Sequence, residues 1–189
     1  MRYTPFFQTL GLDAKFYDQW ARDIAMGQSE EGAFFMSPLY PYFLAFVYRL
    51  FGRDLLLIRL IQAFLGSCSA VLAYTIARDV FDRRAGLIAG FLTALYGALI
   101  FYDGAVLMTP LLVFLSLVAL SAIVRADAGG NAFLYAGGGV ALGAAAIGRA
   151  AALIPAAAVV LWILFSGRGR SPVGPEPGSR RSAAPSERS

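Results

Sequence analysis

The stretch that decides the fold is LLLIRLIQAFLGSCSAVLAYTIA, residues Leu55–Ala77, in which Arg59 is the only charged side chain. An α-helix needs about 20 apolar residues to cross the roughly 30 Å of hydrocarbon in a bilayer. Because no water reaches the backbone there, a crossing segment must satisfy its own hydrogen bonds, which a helix does. The stretch therefore predicts a transmembrane helix.

Four more apolar blocks follow, and hydrophobic residues make up 58% of the 189 residues. The last two blocks are short and separated only by Gly148 and Arg149, which fits either a tight hairpin or one long bent helix. We expect an all-α, polytopic transmembrane bundle of about five helices over residues 54–166. The four blocks are Ala85–Phe101, Ala105–Val124, Ala132–Ile147 and Ala150–Phe165.

Residues 1–53 predict an extracytoplasmic loop with two amphipathic, interfacial helices. Asp13–Met26 has helical spacing of its apolar residues, and Pro38–Gly52 is rich in the Tyr and Phe found at headgroup level. Both segments are too short to cross a bilayer. In the first, the expected apolar face is Phe16, Tyr17, Trp20, Ala21 and Ile24, and the polar face is Lys15, Asp18, Gln19, Arg22 and Asp23.

Small residues recur at four-residue spacing in two of the blocks, as Gly86, Gly90 and Ala94 and as Gly139 and Gly143. Such stripes allow helix backbones to approach closely, so we expect both to be helix-packing surfaces.

Arginines are distributed unevenly between the two sides of the predicted bundle, and an excess of basic residues marks cytoplasmic loops. This places the C-terminus in the cytoplasm and residues 1–53 outside. Residues 167–189, rich in Gly, Pro, Ser and Arg, predict a disordered tail. The cytoplasmic set is Arg78, Arg83, Arg84, Arg125, Arg168, Arg170, Arg180 and Arg181, against Arg49, Arg53 and Arg149 outside.

Several kinds of chemistry have no signal in the sequence. There is no histidine, and the single Cys68 excludes an internal disulfide or a Cys-based metal site. Carboxylates could hold a divalent cation, but no acidic cluster indicates a metal, so we expect no cofactor. The net charge of +4 fits the flanks of membrane spans better than nucleic-acid binding.

Three segments, taken in order, resemble a known family. They are similar to the GT-C membrane glycosyltransferases (families 39 and 83), closest to bacterial relatives of protein O-mannosyltransferase and of the aminoarabinose transferase that modifies lipid A. The segments are LDAKFYDQWARDIAMG (12–27), SPLYPYFLAFVYRLFG (37–52) and RLIQAFLGSCSAVLAYTIARDVFDRRAGLIAGFLTALYGALIFYDG (59–104). The resemblance covers roughly Leu12 to Phe165, and we expect the chain to be an N-terminal fragment of such an enzyme.

The resemblance implies transfer of a sugar from a polyprenyl-phosphate donor to a hydroxyl of a lipid, glycan or protein acceptor on the outer side of a bacterial cytoplasmic (inner) membrane. A carboxylate would act as general base on that hydroxyl, and arginine would stabilise the leaving phosphate. Asp13 matches the acidic residue of the family's first helix and is the candidate base; the alternative is that it caps the helix. Tyr17, four residues later, lines the same pocket or anchors the helix at the interface.

The other candidates are substrate-binding residues. Arg59 and Gln62 match an R-x-x-Q pattern and would contact the donor phosphate, unless Arg59 reaches the headgroups instead. Arg149, in the Gly-Arg turn, is a second phosphate candidate. Asp103 faces the same cavity or is a solvated loop carboxylate. The remaining alternatives are a non-catalytic membrane scaffold and a transporter subunit, the latter requiring polar or broken helices at mid-membrane.

Overall fold

The computed structural model describes residues 11–28, 37–129 and 132–149, together with Ile154, Ala157 and Leu161. The described ranges contain seven helices and no strand, so the all-α prediction is confirmed. The three isolated residues are helical and exposed, and belong to a separate unit after Leu153. The helices are α1 (Leu12–Ala25), α2 (Leu39–Phe51), α3 (Leu55–Val80), α4 (Arg83–Leu95), α5 (Gly97–Gly104), α6 (Thr109–Gly129) and α7 (Ala132–Gly148).

Two helices of the described ranges, α3 and α6, are long and apolar enough to cross a membrane, and α4 and α5 together could form a third span. The predicted span Ala85–Phe101 is divided between α4 and α5. The chain bends by 47° between α4 and α5, where Tyr96 is extended and Gly97 follows. Glycine lowers helix stability because its backbone loses more freedom on ordering.

Two of the remaining predicted spans correspond to helices of the described ranges, and the third lies mostly outside those ranges. Ala105–Val124 becomes α6, which starts later, at Thr109, with Pro110 in its first turn where proline is tolerated. Ala132–Ile147 becomes α7, an apolar helix of 17 residues. Ala150–Phe165 lies outside the described ranges except for its three isolated residues, as does the predicted tail 167–189.

Side-chain caps fix where two helices begin. Asp54 accepts hydrogen bonds from Leu56 N (2.8 Å) and Leu57 N (3.5 Å) at the start of α3. Asp82 accepts one from Ala85 N (2.7 Å) at the start of α4. Carboxylates at these positions satisfy amide groups that have no partner within the helix.

Polar contacts mark two opposite ends of the bundle. At one end, Asp79 pairs with Arg78 (3.0 Å) and Arg125 (3.4 Å), which brings the end of α6 to the α3–α4 turn. At the other end, Arg59 Nε donates to Gly104 O (3.0 Å), joining the start of α3 to the end of α5. The arginine-rich turn and the predicted site residue Arg59 therefore lie on opposite sides of the apolar layer.

The core lies at the Arg59 end of the bundle, beneath α1 and α2. α1 packs on α2, and α3 packs against α4, α5 and α6, while α6 also packs on α7. Tyr17 and Ala21 of α1 meet Tyr40 and Leu44 of α2 and Ile58 of α3 in one buried cluster. α1 and α2 are thus part of the folded core, and the outer face of α2 is exposed.

Glycine packing is confirmed for the predicted stripe in α4. A Cβ at Gly86 would lie 2.8 Å from Tyr74 O, and one at Gly90 3.0 Å from Tyr74 Cβ, so α4 packs closely on α3. No described residue lies within 4 Å of a Cβ placed at Gly139 or Gly143. The buried face of α7 is instead Gly138, Ala141, Ala145 and Gly148, because α6 and α2 approach from that side.

Gly138→Leu is expected to destabilise the bundle. A Cβ there would lie 3.1 Å from Ile123 Cγ1 and 3.2 Å from Ala119 O, and overpacking costs about 1–3 kcal/mol. Gly139→Leu is the matched control, since it brings the same gain in helix propensity into open space. The thermal unfolding midpoint in detergent should fall for the first variant only. Equal shifts would contradict the assigned face of α7.

Candidate functional site

Asp13 lies in the first turn of α1 and is exposed. The alternative that it caps the helix is wrong, because the helix begins one residue earlier. Gly11 is the capping residue, and Lys15 N donates to Gly11 O (2.9 Å). The carboxylate of Asp13 is therefore not engaged in capping.

Tyr17, one helical turn after Asp13, is 4% exposed. Burial raises the pKa of its hydroxyl, the Asp13 carboxylate raises that pKa further, and the Arg149 guanidinium lowers it. The opposite signs show that a carboxylate and a guanidinium both lie within electrostatic range of this hydroxyl. We call Asp13, Tyr17 and Arg149 the outer polar cluster.

A chain of contacts leads from Tyr17 to α3. Its ring meets the Tyr40 ring edge-on, with centroids 5.1 Å apart. The Tyr40 hydroxyl accepts a hydrogen bond from Gln62 Nε2 (3.1 Å), which also donates to Leu107 O (2.7 Å). Gln62 is 1% exposed, and its Oε1 has no partner among the described residues. It ties α2, α3 and the segment before α6 together behind the cluster.

Arg59 lies on the wall of a groove between α3, α4 and α5, with a volume of about 480 Å³. We call this the Arg59 groove. The Arg59 Nε–H donates a hydrogen bond to the last carbonyl of α5, where the helix dipole favours a cation. The lining residues are Leu56, Arg59, Leu60, Ala63, Gly66, Ser67, Thr93, Ala94, Leu99, Ile100, Asp103 and Gly104.

Asp103 joins Arg59 in this groove because position 66 of α3 is a glycine. A Cβ at Gly66 would collide with Asp103 Oδ2 and lie 2.9 Å from Asp103 Cγ. The half-buried carboxylate therefore rests against the backbone of α3. Its placement favours the cavity interpretation of Asp103 over that of a solvated loop residue.

Arg149 lines a second groove of about 490 Å³, which also contains Thr109 and Ser116 of α6. Thr93 and Leu99 belong to the walls of both grooves. The two grooves are therefore neighbours, separated where α4 bends into α5.

The six predicted site residues thus lie at one end of the bundle. Five of them form two neighbouring groups, and the sixth links these groups. Asp13, Tyr17 and Arg149 form the outer polar cluster, and Arg59 and Asp103 share the Arg59 groove. Gln62 connects them through Tyr40. The walls of the Arg59 groove do not include Asp13, so a substrate engaging both groups would extend between them.

Sequence reasoning missed the most highly connected polar residue of this region, Asp18. It was assigned to the polar face of α1 but is 2% exposed. Its carboxylate accepts hydrogen bonds from Arg53 Nε (3.1 Å) and Nη2 (2.9 Å) and from the Tyr48 hydroxyl (2.7 Å). Arg22 Nη2 lies 3.3 Å away. The available signal was its position beside Ala14, Tyr17 and Ala21 on one helical face.

The described ranges contain no group of three or more His, Cys, Asp or Glu side chains arranged to hold a metal ion. The polar groups of the site are instead carboxylates, arginines and a tyrosine, which suit proton transfer and binding of an anion.

A family model described as dolichyl-phosphate-mannose-protein mannosyltransferase matches residues 36–174. The chain belongs to this family. No curated protein and no solved structure matches it. The match supports a membrane glycosyltransferase of the GT-C type, in agreement with the resemblance seen in the sequence. The matched segment starts after α1, so the family model does not cover Asp13, Tyr17 or Asp18.

In this mannosyltransferase-family chain, docking of α1 should depend on pH through Asp18. Burial opposes ionisation, but hydrogen bonds from Arg53 and Tyr48 and the charges of Arg53 and Arg22 outweigh it, so the pKa of Asp18 lies below its ordinary value of 3.8. A lowered pKa in the folded state stabilises the folded state above the ordinary pKa, and this contribution is lost as the pH falls through the lowered value.

Fluorescence of Trp20, buried on α1, can measure this effect in a Trp162→Phe background, where it is the remaining tryptophan. The emission should stay constant from neutral pH to about pH 4 and shift to longer wavelength below it. Asp18→Asn should shift the emission already at neutral pH. A transition centred near pH 6 would contradict the assignment to Asp18.

Proposed function

We propose that this chain transfers a sugar from a polyprenyl-phosphate donor to an acceptor hydroxyl at the outer face of a bacterial cytoplasmic membrane. The acceptor is a lipid, a glycan or a protein. Asp13 acts as general base, and Arg149 and Arg59 bind the donor phosphate. Family membership supports the reaction class and the lipid-linked substrates.

The observation that carries the proposal is the outer polar cluster. Asp13 lies in α1 and Arg149 directly follows α7, far away in the sequence, yet both influence the Tyr17 hydroxyl electrostatically. A carboxylate and a guanidinium within electrostatic range of one hydroxyl provide a proton acceptor and an anion-binding group in the same part of the molecule. Sugar transfer from a phosphate needs this combination, because a proton is taken up while a phosphate leaves.

The chemical step follows from these roles. The acceptor hydroxyl gives its proton to the Asp13 carboxylate as its oxygen attacks the anomeric carbon of the donor. A bond forms between that carbon and the acceptor oxygen, and the bond to the phosphate oxygen breaks. The negative charge that develops on the phosphate is stabilised by arginine, whose planar fork suits phosphate geometry.

The neighbouring grooves fit a donor with a long apolar tail. The Arg59 groove has apolar walls around one cation and one carboxylate, and it opens on the membrane-facing side chains of α3, α4 and α5. A polyprenyl chain can lie along such walls while its phosphate stays near arginine. Asp103 would then contact the sugar or orient Arg59.

Asp13→Asn is expected to abolish most transfer, since loss of a general base costs about 10²–10⁴-fold in rate. The measurement is transfer of radiolabelled mannose from polyprenyl-phosphate-mannose in membranes that contain equal amounts of each variant. Asp23→Asn, the same charge change on the same helix, is the matched control and should stay active. Unchanged transfer by Asp13→Asn would remove Asp13 from the mechanism.

The proposed orientation can be tested with single cysteines in a Cys68→Ser background. Gln19 in α1 and Arg84 in α4 are both exposed, at opposite ends of the bundle. A membrane-impermeant maleimide added to intact cells should label Gln19→Cys but reach Arg84→Cys only after the cells are opened. The reverse pattern would put Asp13 in the cytoplasm and refute an outward-facing site.

A further inference from the structure

α1 presents a positioning problem, because it has 14 residues and cannot anchor itself by crossing the membrane. Its apolar contacts include two alanines, Ala14 and Ala21, whose small side chains fill shallow positions. Packing of this kind stabilises docking but defines the rotation and depth of the helix poorly. Something more directional is needed to aim Asp13 and Tyr17 at Arg149.

Asp18 supplies that direction. A buried carboxylate costs several kcal/mol unless it is paired and hydrogen-bonded. Here both oxygens are occupied by Arg53, in a two-pronged contact of 3.1 and 2.9 Å, and Oδ1 also accepts the Tyr48 hydroxyl at 2.7 Å. Such a planar, two-bond contact adds geometric specificity as well as energy.

The partners of Asp18 come from the joint between two other helices. Tyr48 lies in the last turn of α2, and Arg53 lies in the short turn between α2 and α3. The contact therefore fixes α1 to the point where the outer helices meet the bundle. Arg49 adds a second tie, donating to Ile24 O (3.0 Å) at the end of α1.

Fixing Asp18 fixes the direction of the residues before it. Successive residues of an α-helix are rotated by about 100°, so a rotation at one position is shared by the whole helix. Tyr17 is the adjacent residue, with its ring edge on Tyr40. A turn of α1 about its axis would swing Tyr17 out of that contact and carry Asp13 away from Arg149.

We infer that Asp18 and Arg53 are positioning residues of the site, holding α1 in the rotation and depth at which Tyr17 packs on Tyr40 and the outer polar cluster is assembled. This inference rests on the proposed function for the role of Asp13. A contact between Asp18 and substrate is not required, because its two oxygens are already occupied.

The test measures helix position and transfer separately. Spin labels at Gln19→Cys and Arg84→Cys, in a Cys68→Ser background in lipid nanodiscs, report the distance between α1 and the opposite end of the bundle by pulsed electron resonance. Asp18→Asn and Arg53→Lys should broaden the distance distribution, the second because lysine keeps the charge but loses the two-pronged geometry. Asp23→Asn is the control and should leave the distribution narrow.

In parallel, transfer from polyprenyl-phosphate-mannose should show a fall in kcat of about 10- to 100-fold for Asp18→Asn and Arg53→Lys. The KM for the donor should change little, since Arg59 and Arg149 are intact. Tyr48→Phe removes one hydrogen bond and leaves the ion pair, so it should give a smaller change in the distance distribution and in kcat. It replaces Asp18→Asn in the test if Asp18→Asn does not fold.

The outcomes separate the inference from the proposed function. A narrow, unchanged distance distribution in Arg53→Lys and Tyr48→Phe would overturn the positioning role, whatever the transfer rate. A broadened distribution with undiminished transfer, together with an active Asp13→Asn, would uphold the positioning of α1 and overturn the assignment of Asp13 as base. Broadening with reduced kcat supports both.

Discussion

The site depends on one buried ionic contact, that between Asp18 of α1 and Arg53 at the α2–α3 joint. α1 has 14 residues, too few to cross a bilayer, so its position depends on its contacts with the other helices. The ion pair is partly open to solvent on the arginine side, with 45% of the Arg53 side chain exposed. Its importance therefore comes from the buried carboxylate, which would lose its contacts with Arg53 and Tyr48 if α1 moved.

Close backbone approach is the second constraint. Gly66 lets the carboxylate of Asp103 rest against α3, and Gly86 and Gly90 bring α4 onto the same helix. Gly148 plays a similar part at the end of α7, where a Cβ would lie 2.9 Å from Leu39 Cδ2. Glycine thus allows polar and apolar groups to come nearer to a helix than any side chain would permit, and Gly66 does so in the wall of the Arg59 groove.

The region that matches the family model contains most of the features described above. The matched region, residues 36–174, contains the groove-forming helices, the Arg59–Gly104 contact and Arg149. α1, which carries Asp13, lies before that region. The bend between α4 and α5 separates the two grooves and places Thr93 and Leu99 between them.

The sequence alone determined the helical class and the membrane setting, because an apolar stretch of membrane length has only one way to satisfy its backbone. It also determined the sides of the bundle on which Arg78, Arg125 and Arg59 lie, through their positions at span ends. The amphipathic pattern of α1 identified its buried apolar residues Tyr17, Trp20 and Ala21.

Only the tertiary structure decided which polar residues are buried and which glycines are packing surfaces. Asp18 follows the polar pattern of α1, and its burial becomes favourable only when Arg53 and Tyr48 arrive from a distant segment. Gly138 and Gly139 are neighbours of the same type, and only the approach of α6 from one side distinguishes them. The sequence pattern of a helix shows which of its residues are polar or apolar, whereas the burial of each residue depends on which other segments pack against it.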